Sequence, residues 1–185
     1  MPKVLVVFAH PALERSRIHR RLVAGVRTWG DVTFRDLYQL YPDFYVDVAA
    51  EQEQLLLHEA IVWQFPLYWY SVPPLLKQWI DLTLEHDWAY GSRGVFLRGK
   101  RLRCVVTAGG SAHAYCREGY NGYTVDEFLR PLQQTALLCG MTWLPPHLIH
   151  GTHALRGEAI EAERERYEAV LRAQIAPAVT ESRPH

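Results

Sequence analysis

The chain has 185 residues, of which 49% are apolar and 22% charged, a mixture typical of one globular domain spanning 1–185. Its 20 basic and 20 acidic residues leave no positive surplus to displace the counterions of DNA or RNA, which disfavours a nucleic-acid partner. With no apolar run near the roughly 18 residues that cross a bilayer, and three widely spaced cysteines, we expect a cytoplasmic protein without disulfide or zinc frameworks.

Short apolar runs alternate with segments of helical periodicity along the chain. The predicted strands lie at 4–8, 32–34, 61–65, 102–107 and 141–144. Between the first three strands we predict a helix capped by Ser16 and ended by Gly30–Asp31, then a loop at 37–46 and a helix capped by Asp47 that runs to 57. The later helices are one opened by Pro73–Pro74, one that ends at Gly140 with Pro131 as a bend or as its true start, and one from 158 to about 176. Residues 176–185 are predicted to form a loose tail.

Strands that alternate with helices predict an α/β fold with a parallel sheet and right-handed crossovers. Five strands in this length fit a flavodoxin-like three-layer sandwich, with a five-stranded parallel sheet in the order 2-1-3-4-5 and helices on both faces. Ligands in such folds bind beyond the carboxyl ends of the strands. The site should therefore draw on the segments after residues 8, 65 and 107.

The first of these segments joins a strand end to a helix N-terminus, where free N–H groups and the helix dipole suit a phosphate. His10 is placed to donate to that phosphate, and Arg15 or Arg17 can add charge. Neither a GxGxxG nor a Walker A lysine motif is present. Ser16 as a mere cap, and His10 as an ordinary surface residue, stay open as alternatives.

The second and third segments suit a flat ligand. Tyr68, Trp69 and Tyr70 cannot all face one core from a loop, so they lie against a flat ligand, a dimer interface or both. Gly109–Gly110 permits close backbone approach to a ligand, whose polar edge the amide groups can bind, although any sharp turn would use the same pair.

A histidine series after the last predicted strand is a candidate metal site. His147, His150 and His153 are spaced by three, as on one helix face. Pro145–Pro146 and Gly151 argue against a continuous helix there, so we predict no metal.

Three segments carry a resemblance to a known family: AHP at 9–11, FPLYWYSVPPLLKQWID at 65–81 and VTAGG at 106–110. With these motifs in the same order, the chain resembles the NAD(P)H:quinone oxidoreductase branch of flavodoxin-fold proteins. DLYQLYPDFYVDVAAEQEQL at 36–55, HDWAYG at 86–91 and CGMTWLPPHLIHG at 139–151 make it similar to the ancillary oxidoreductases of glutathione-regulated potassium-efflux systems.

The resemblance implies a flavin with its phosphate near the first segment, its rings along the second and its polar edge at the third. The cofactor-binding residues it implies are His10, Ser16, Arg17, Ile18, His19, Pro66, Leu67, Tyr68, Trp69, Tyr70, Thr107, Ala108, Gly109 and Gly110. The catalytic residues it implies are Tyr115, where the family has a Tyr, and Asn121, where it has a His. His19 replaces a common Asn, and Ala108 a common second Thr.

The resemblance also implies an activity, namely two-electron ping-pong hydride transfer from NAD(P)H to quinones or similar electrophilic acceptors. FMN is the implied cofactor, with FAD as the alternative. A homodimer is implied, with aromatic side chains of the second subunit completing the acceptor pocket. The main alternative is a peripheral regulatory subunit of a potassium/proton antiporter at the inner face of the membrane, with reductase activity secondary. A one-electron carrier is disfavoured, since this neutral chain has no overall acidic charge to steer it.

Overall fold

The computed structural model describes residues 4–175. The strands are β1 (Val4–Phe8), β2 (Val32–Asp36), β3 (Ala60–Pro66), β4 (Arg101–Thr107), β5 (Thr142–Trp143) and β6 (His147–Ile149). The helices are α1 (Arg17–Val26), α2 (Leu37–Leu40), α3 (Val48–Leu57), α4 (Pro74–Thr83), α5 (Val125–Phe128), α6 (Arg130–Leu138) and α7 (Gly157–Ile175), and single 3₁₀ turns lie at Leu13–Arg15 and Ala112–Tyr115.

The sheet is parallel and has the predicted order β2-β1-β3-β4-β5. Every residue of β1 and β3 is buried, because helices cover both faces of these central strands. This double burial explains the uninterrupted apolar run of β1, and the strand order confirms the flavodoxin-like α/β fold.

The fifth strand is a correction to the sequence prediction. Instead of one strand at 141–144, two short strands, β5 and β6, pair in parallel with β4. Pro145 and Pro146 cannot donate to the ladder and separate the two. Trp143 pairs with Leu102 of β4, and His147 pairs with Val105. The edge segment thus covers four residues where β4 covers three, so it contains one extra residue, which forms a bulge.

Two predicted segments also differ. The segment predicted as a loop at 37–46 contains α2. The helix predicted to end at Gly140 is divided into α5, which starts with a capping box at Thr124, and α6, which carries Pro131 near its start. The predicted end of the last helix near 176, and the tail at 176–185, lie outside the described residues.

The core has two parts, one on each face of the sheet. The larger packs α3, α4 and α6 on one face and includes Leu75, Leu76, Trp79 and Ile80 of α4. The smaller packs α1 and α7 on the other face, where Tyr167 and Leu171 are buried. No helix between residues 4 and 175 is both long and apolar enough to cross a membrane. Together the layers fix the carboxyl edge of the sheet, where the candidate site lies.

Candidate functional site

A cavity of about 410 Å³ opens beyond the carboxyl ends of β1, β3 and β4, a volume within the usual range for small-molecule sites. Its walls are formed by His10, Ala12, Arg15, Ser16, Arg17, Ile18, His19, Pro66, Leu67, Tyr68, Thr107, Gly109, Thr152 and His153. Ten of the 14 cofactor-binding residues predicted from the sequence are among them. The other four, Trp69, Tyr70, Ala108 and Gly110, lie beside the cavity.

One end of the cavity has the features of an anion site. The Ser16 hydroxyl accepts the His19 N–H at 3.1 Å and so caps α1, while the N–H groups of Arg17 and Ile18 have no acceptor within the helix. Nδ1 of His10 accepts the Ala12 N–H at 3.1 Å, which places the proton of the neutral ring on Nε2. Burial lowers the pKa of His10, with the neighbouring Glu14 opposing that shift.

Two arginines add positive charge at the same end. Arg15 and Arg17 both line the cavity, and Arg17 donates to the His153 carbonyl at 3.1 Å. Within residues 4–175, neither of them forms an ion pair with an acidic side chain. Their charge is therefore available to an anionic group, which would also favour the charged form of His10.

His19 is the deepest polar group in the wall. Its side chain is 1% exposed and its Nε2 lies 2.8 Å from Thr107 Oγ1, whereas its Nδ1 is buried without a partner among the described residues. Burial, reinforced by the neighbouring His10, lowers the pKa of His19 from 6.5 to about 3. The ring is thus neutral at physiological pH, and its orphaned nitrogen is the kind of atom that a bound polar ligand satisfies.

The buried His19 predicts a loss of stability in mild acid. Unfolding restores the ring to its usual pKa of 6.5, so the unfolded chain takes up a proton at pH 5 that the folded chain, with a pKa near 3, does not. Stability therefore falls as the pH falls through 6.5, by about 2 kcal/mol between pH 7.5 and pH 5. Urea unfolding at both pH values should show that His19→Asn reduces the difference by about 2 kcal/mol, leaving the part due to other buried histidines such as His10, whereas His113→Asn, at an exposed site, should leave the difference unchanged.

The glycine pair after β4 has two distinct roles. Gly109 faces the cavity, and a Cβ there would lie 2.4 Å from His153 Nε2. Ala108 is 2% exposed and exchanges backbone hydrogen bonds with Ile149 and Thr152, while the Gly110 carbonyl accepts the Gly151 N–H at 2.8 Å. Ala108 and Gly110 thereby hold the segment after β6 against the cavity.

We call residues 67–71, which follow β3, the ring loop after its aromatic residues; its first two residues, Leu67 and Tyr68, line the cavity. Tyr68 and Ser71 exchange two backbone hydrogen bonds of 3.0 Å each, which closes a two-residue turn. The central residues Trp69 and Tyr70 have φ of 47° and 64°, a left-handed conformation that is unfavourable for aromatic side chains. Trp69 is 93% exposed, so it is presented outward rather than to the cavity.

The two predicted catalytic residues lie outside the cavity wall, in what we call the acceptor loop, residues 111–124. The Tyr115 ring approaches Gly110, where an added Cβ would lie 3.1 Å away, and the His150 ring at a centroid distance of 5.8 Å. Burial raises the pKa of Tyr115, so its phenol stays protonated at neutral pH. Asn121 uses its side-chain amide in hydrogen bonds to Tyr70 and to Ala114.

Ala12, Thr152 and His153 line the cavity without having been predicted as binding residues. The carboxyl ends of all parallel strands meet at one edge of the sheet. The segment after the last strand could therefore line the site as well as the segments after residues 8, 65 and 107. His153 was considered only as a metal ligand. The structure instead separates the three histidines, and no cluster of metal-ligating side chains occurs within residues 4–175.

The chain is similar to proteins of one family along nearly its whole length. A family described as flavodoxin-like fold matches residues 2–173, which include every segment of the cavity wall. The glutathione-regulated potassium-efflux system ancillary protein KefF of Klebsiella aerogenes is 46% identical over 164 residues, 89% of this chain and 92% of the relative.

Solved structures agree with that match. General stress protein 14 of Treponema denticola, in complex with FMN, is 41% identical with a TM-score of 0.89, over 94% of this chain and 99% of that one. An NADPH-quinone reductase of P. pentosaceus is 32% identical with a TM-score of 0.83, over 91% and 96% of the two chains.

Proposed function

The chain belongs to the flavodoxin-like fold family, and on that basis we propose that it is an FMN-dependent oxidoreductase that passes electrons from NAD(P)H to quinones or similar acceptors. The observation that carries the proposal is the cavity itself, whose wall contains both the N-terminus of α1 and Gly109 after β4. The FMN complex of the Treponema protein and the name of the quinone reductase support the choice of cofactor and reaction.

The residues present fit FMN. The free N–H groups of α1, His10 and Arg15 would hold the phosphate, and the His19–Thr107 pair would meet a polar group deeper in the cavity. Gly109 carries no side chain in the cavity wall, so once the exposed His153 ring turns aside, the polar edge of the ring system could approach its backbone. When bound, FMN supplies the two-electron redox chemistry, for which the protein provides binding and orientation.

We further propose that NAD(P)H and the acceptor use one site in turn, which gives ping-pong kinetics. The protonated phenol of Tyr115, next to Gly110, is placed to donate a hydrogen bond to an acceptor oxygen there. This scheme requires neither a protein nucleophile nor a metal.

The decisive test is to mix the FMN-loaded protein with NADPH or NADH without oxygen and to follow the visible absorbance of the flavin. Bleaching by the nicotinamide and recovery on adding a quinone are expected. Flavin that stays oxidised with both nicotinamides would rule out the proposed reaction.

His10→Ala is expected to weaken FMN binding by about tenfold to a hundredfold, since it removes the Nε2–H donor and a hydrogen bond to a charged group contributes about 1.5–3 kcal/mol. Riboflavin has no phosphate, so its affinity should change little. His86→Ala, at an exposed position outside the cavity wall, serves as the control. Fluorescence titration measures the affinity of the unaltered protein and of both variants for FMN and for riboflavin. An equal loss of affinity for FMN and riboflavin would mean that His10 does not contact the phosphate.

We also propose that the protein is a cytoplasmic homodimer and that it associates with a potassium-efflux system. Its support is the likeness to KefF and the exposed aromatics Trp69, Tyr120 and Tyr45, which are 93%, 94% and 83% exposed. Light scattering at micromolar concentration should give twice the chain mass; a monomer would contradict the dimer. Recovery of the intact protein with the antiporter in a pull-down tests the association.

A further inference from the structure

We propose that Tyr70 and Asn121 form a latch that ties the ring loop to the acceptor loop and thereby positions Tyr115, a role that rests on the proposed function. In this arrangement Asn121 is a positioning residue and not a group that stabilises charge on the reacting molecules. The latch accounts for why an amide occupies this place in the acceptor loop.

The hydrogen bonds of Asn121 use both ends of its side chain. Its Oδ1 accepts the Tyr70 hydroxyl at 3.2 Å, and its Nδ2 donates to the Ala114 carbonyl at 2.9 Å. The Asn121 backbone N–H donates to the same carbonyl at 3.0 Å. Asn121 therefore grips the residue that directly precedes Tyr115, and it connects that residue to a side chain 51 positions earlier in the chain.

An aromatic cluster reinforces this connection. Phe128, the last residue of α5, packs against Tyr70 at a centroid distance of 4.9 Å, Tyr115 at 6.3 Å and Tyr123 at 5.8 Å. The same ring thus contacts one residue of the ring loop and two of the acceptor loop. A change in the position of Tyr70 would be transmitted to Tyr115 both through Asn121 and through Phe128.

The backbone of the ring loop explains why the latch is needed. Tyr70 has a φ of 64°, which an aromatic residue adopts only when other contacts compensate its cost of about 1–3 kcal/mol. Its bond to Asn121 and its packing on Phe128 help to offset that cost, beside the two backbone hydrogen bonds between Tyr68 and Ser71 that close the turn. Without them, the turn would relax and release the acceptor loop.

The acceptor loop has little freedom to adjust in other ways. A Cβ at Gly119 would lie 2.2 Å from the His113 carbonyl oxygen, so the loop already folds back tightly on itself. Because its interior is filled by its own backbone, the loop is expected to move as a unit when the latch opens. Tyr115 would then leave its place beside Gly110.

The test compares Tyr70→Phe with Tyr123→Phe. Both variants remove one hydroxyl from a ring that packs on Phe128, but only the Tyr70 hydroxyl forms a hydrogen bond to Asn121 within residues 4–175. In flavin-free protein, hydrogen exchange at 112–121 should become about fivefold to tenfold faster in Tyr70→Phe and should not change in Tyr123→Phe. Asn121→Ala should match Tyr70→Phe, and the double variant should be no faster than either single one.

The FMN-loaded protein gives the functional measurement. Tyr70→Phe is expected to slow flavin reoxidation by a quinone by about tenfold, whereas Tyr123→Phe should leave the rate within about twofold. Asn121→Asp keeps the acceptor for Tyr70 but places a carboxylate against the Ala114 carbonyl, so it should resemble Asn121→Ala.

Equal exchange and reoxidation in Tyr70→Phe and Tyr123→Phe, or additive effects in the double variant, would overturn the latch. If the unaltered protein is not reduced by NAD(P)H, the proposed function fails, and the exchange measurements still decide whether the latch exists.

Discussion

Gly109→Val should give a folded protein that binds FMN at least about a hundredfold more weakly than the unaltered chain. Gly109 lines the cavity, and a Cβ there would lie 2.4 Å from His153 Nε2, so valine must displace the His153 ring and would take up cavity space in which we propose that the ring system lies. The backbone of Gly109 is not in the left-handed region, and His153 is an exposed side chain that can turn away. The change therefore acts on binding much more than on folding.

The matched control is Gly30→Val, because a Cβ at Gly30 meets no atom within 4 Å and its φ is also unremarkable for a side chain. Circular dichroism and thermal unfolding should be similar for both variants, and fluorescence titration should show lost FMN binding in Gly109→Val alone. Retention of tight FMN binding by Gly109→Val would mean that the ring system lies elsewhere.

The order of the sheet could be predicted because its central strands are buried on both faces. A run such as Val4–Phe8 is apolar at every position only if helices cover both sides, and the turn residues after it locate the strand end. Once the order is known, the loops after β1, β3 and β4 must meet at one edge. The presence of Gly109 and Thr107 in the cavity wall agrees with that reasoning.

Other features depend on contacts that sequence spacing does not express. The break between β5 and β6 follows from two prolines at a sheet edge, where a bulge is tolerated, and a run of four residues could not indicate it. Trp69 and Tyr70 occupy conformations that favour Asn and Gly, so residue preferences pointed away from the turn they form. The bond between Tyr70 and Asn121 spans two loops and requires the folded chain.

Glu51 is a buried charged residue that the sequence did not indicate. It lies on α3 with 0% exposure, and its carboxylate accepts hydrogen bonds from the Tyr41 hydroxyl at 2.6 Å and from Trp79 Nε1 at 2.9 Å. It also forms an ion pair with Arg35 of β2. Glu51 lies in the first turn of a helix that begins after Asp47, where an acidic side chain usually stays at the surface and interacts favourably with the helix dipole. The sequence therefore did not indicate that Glu51 is buried.

We expect Glu51→Ala to lower the free energy of unfolding by about 3–5 kcal/mol, because it leaves the largely buried Arg35 guanidinium without a counter-ion and two donors without an acceptor. Glu53→Ala, an exposed position on the same helix, should change stability by about 0.5 kcal/mol or less. Urea unfolding of the flavin-free protein measures both. Comparable losses in the two variants would show that the buried carboxylate contributes no more than a surface one.

A double replacement separates the two causes of that loss. Arg35→Met combined with Glu51→Leu removes both charges and fills most of their volume, and exchanges of this kind are often neutral or stabilising. We therefore expect the double variant to recover most of the stability lost in Glu51→Ala. Recovery would identify the stranded charge of Arg35 as the main cost, whereas no recovery would mean that the bonds from Tyr41 and Trp79 to the carboxylate hold α2, α3 and α4 on this face of the sheet.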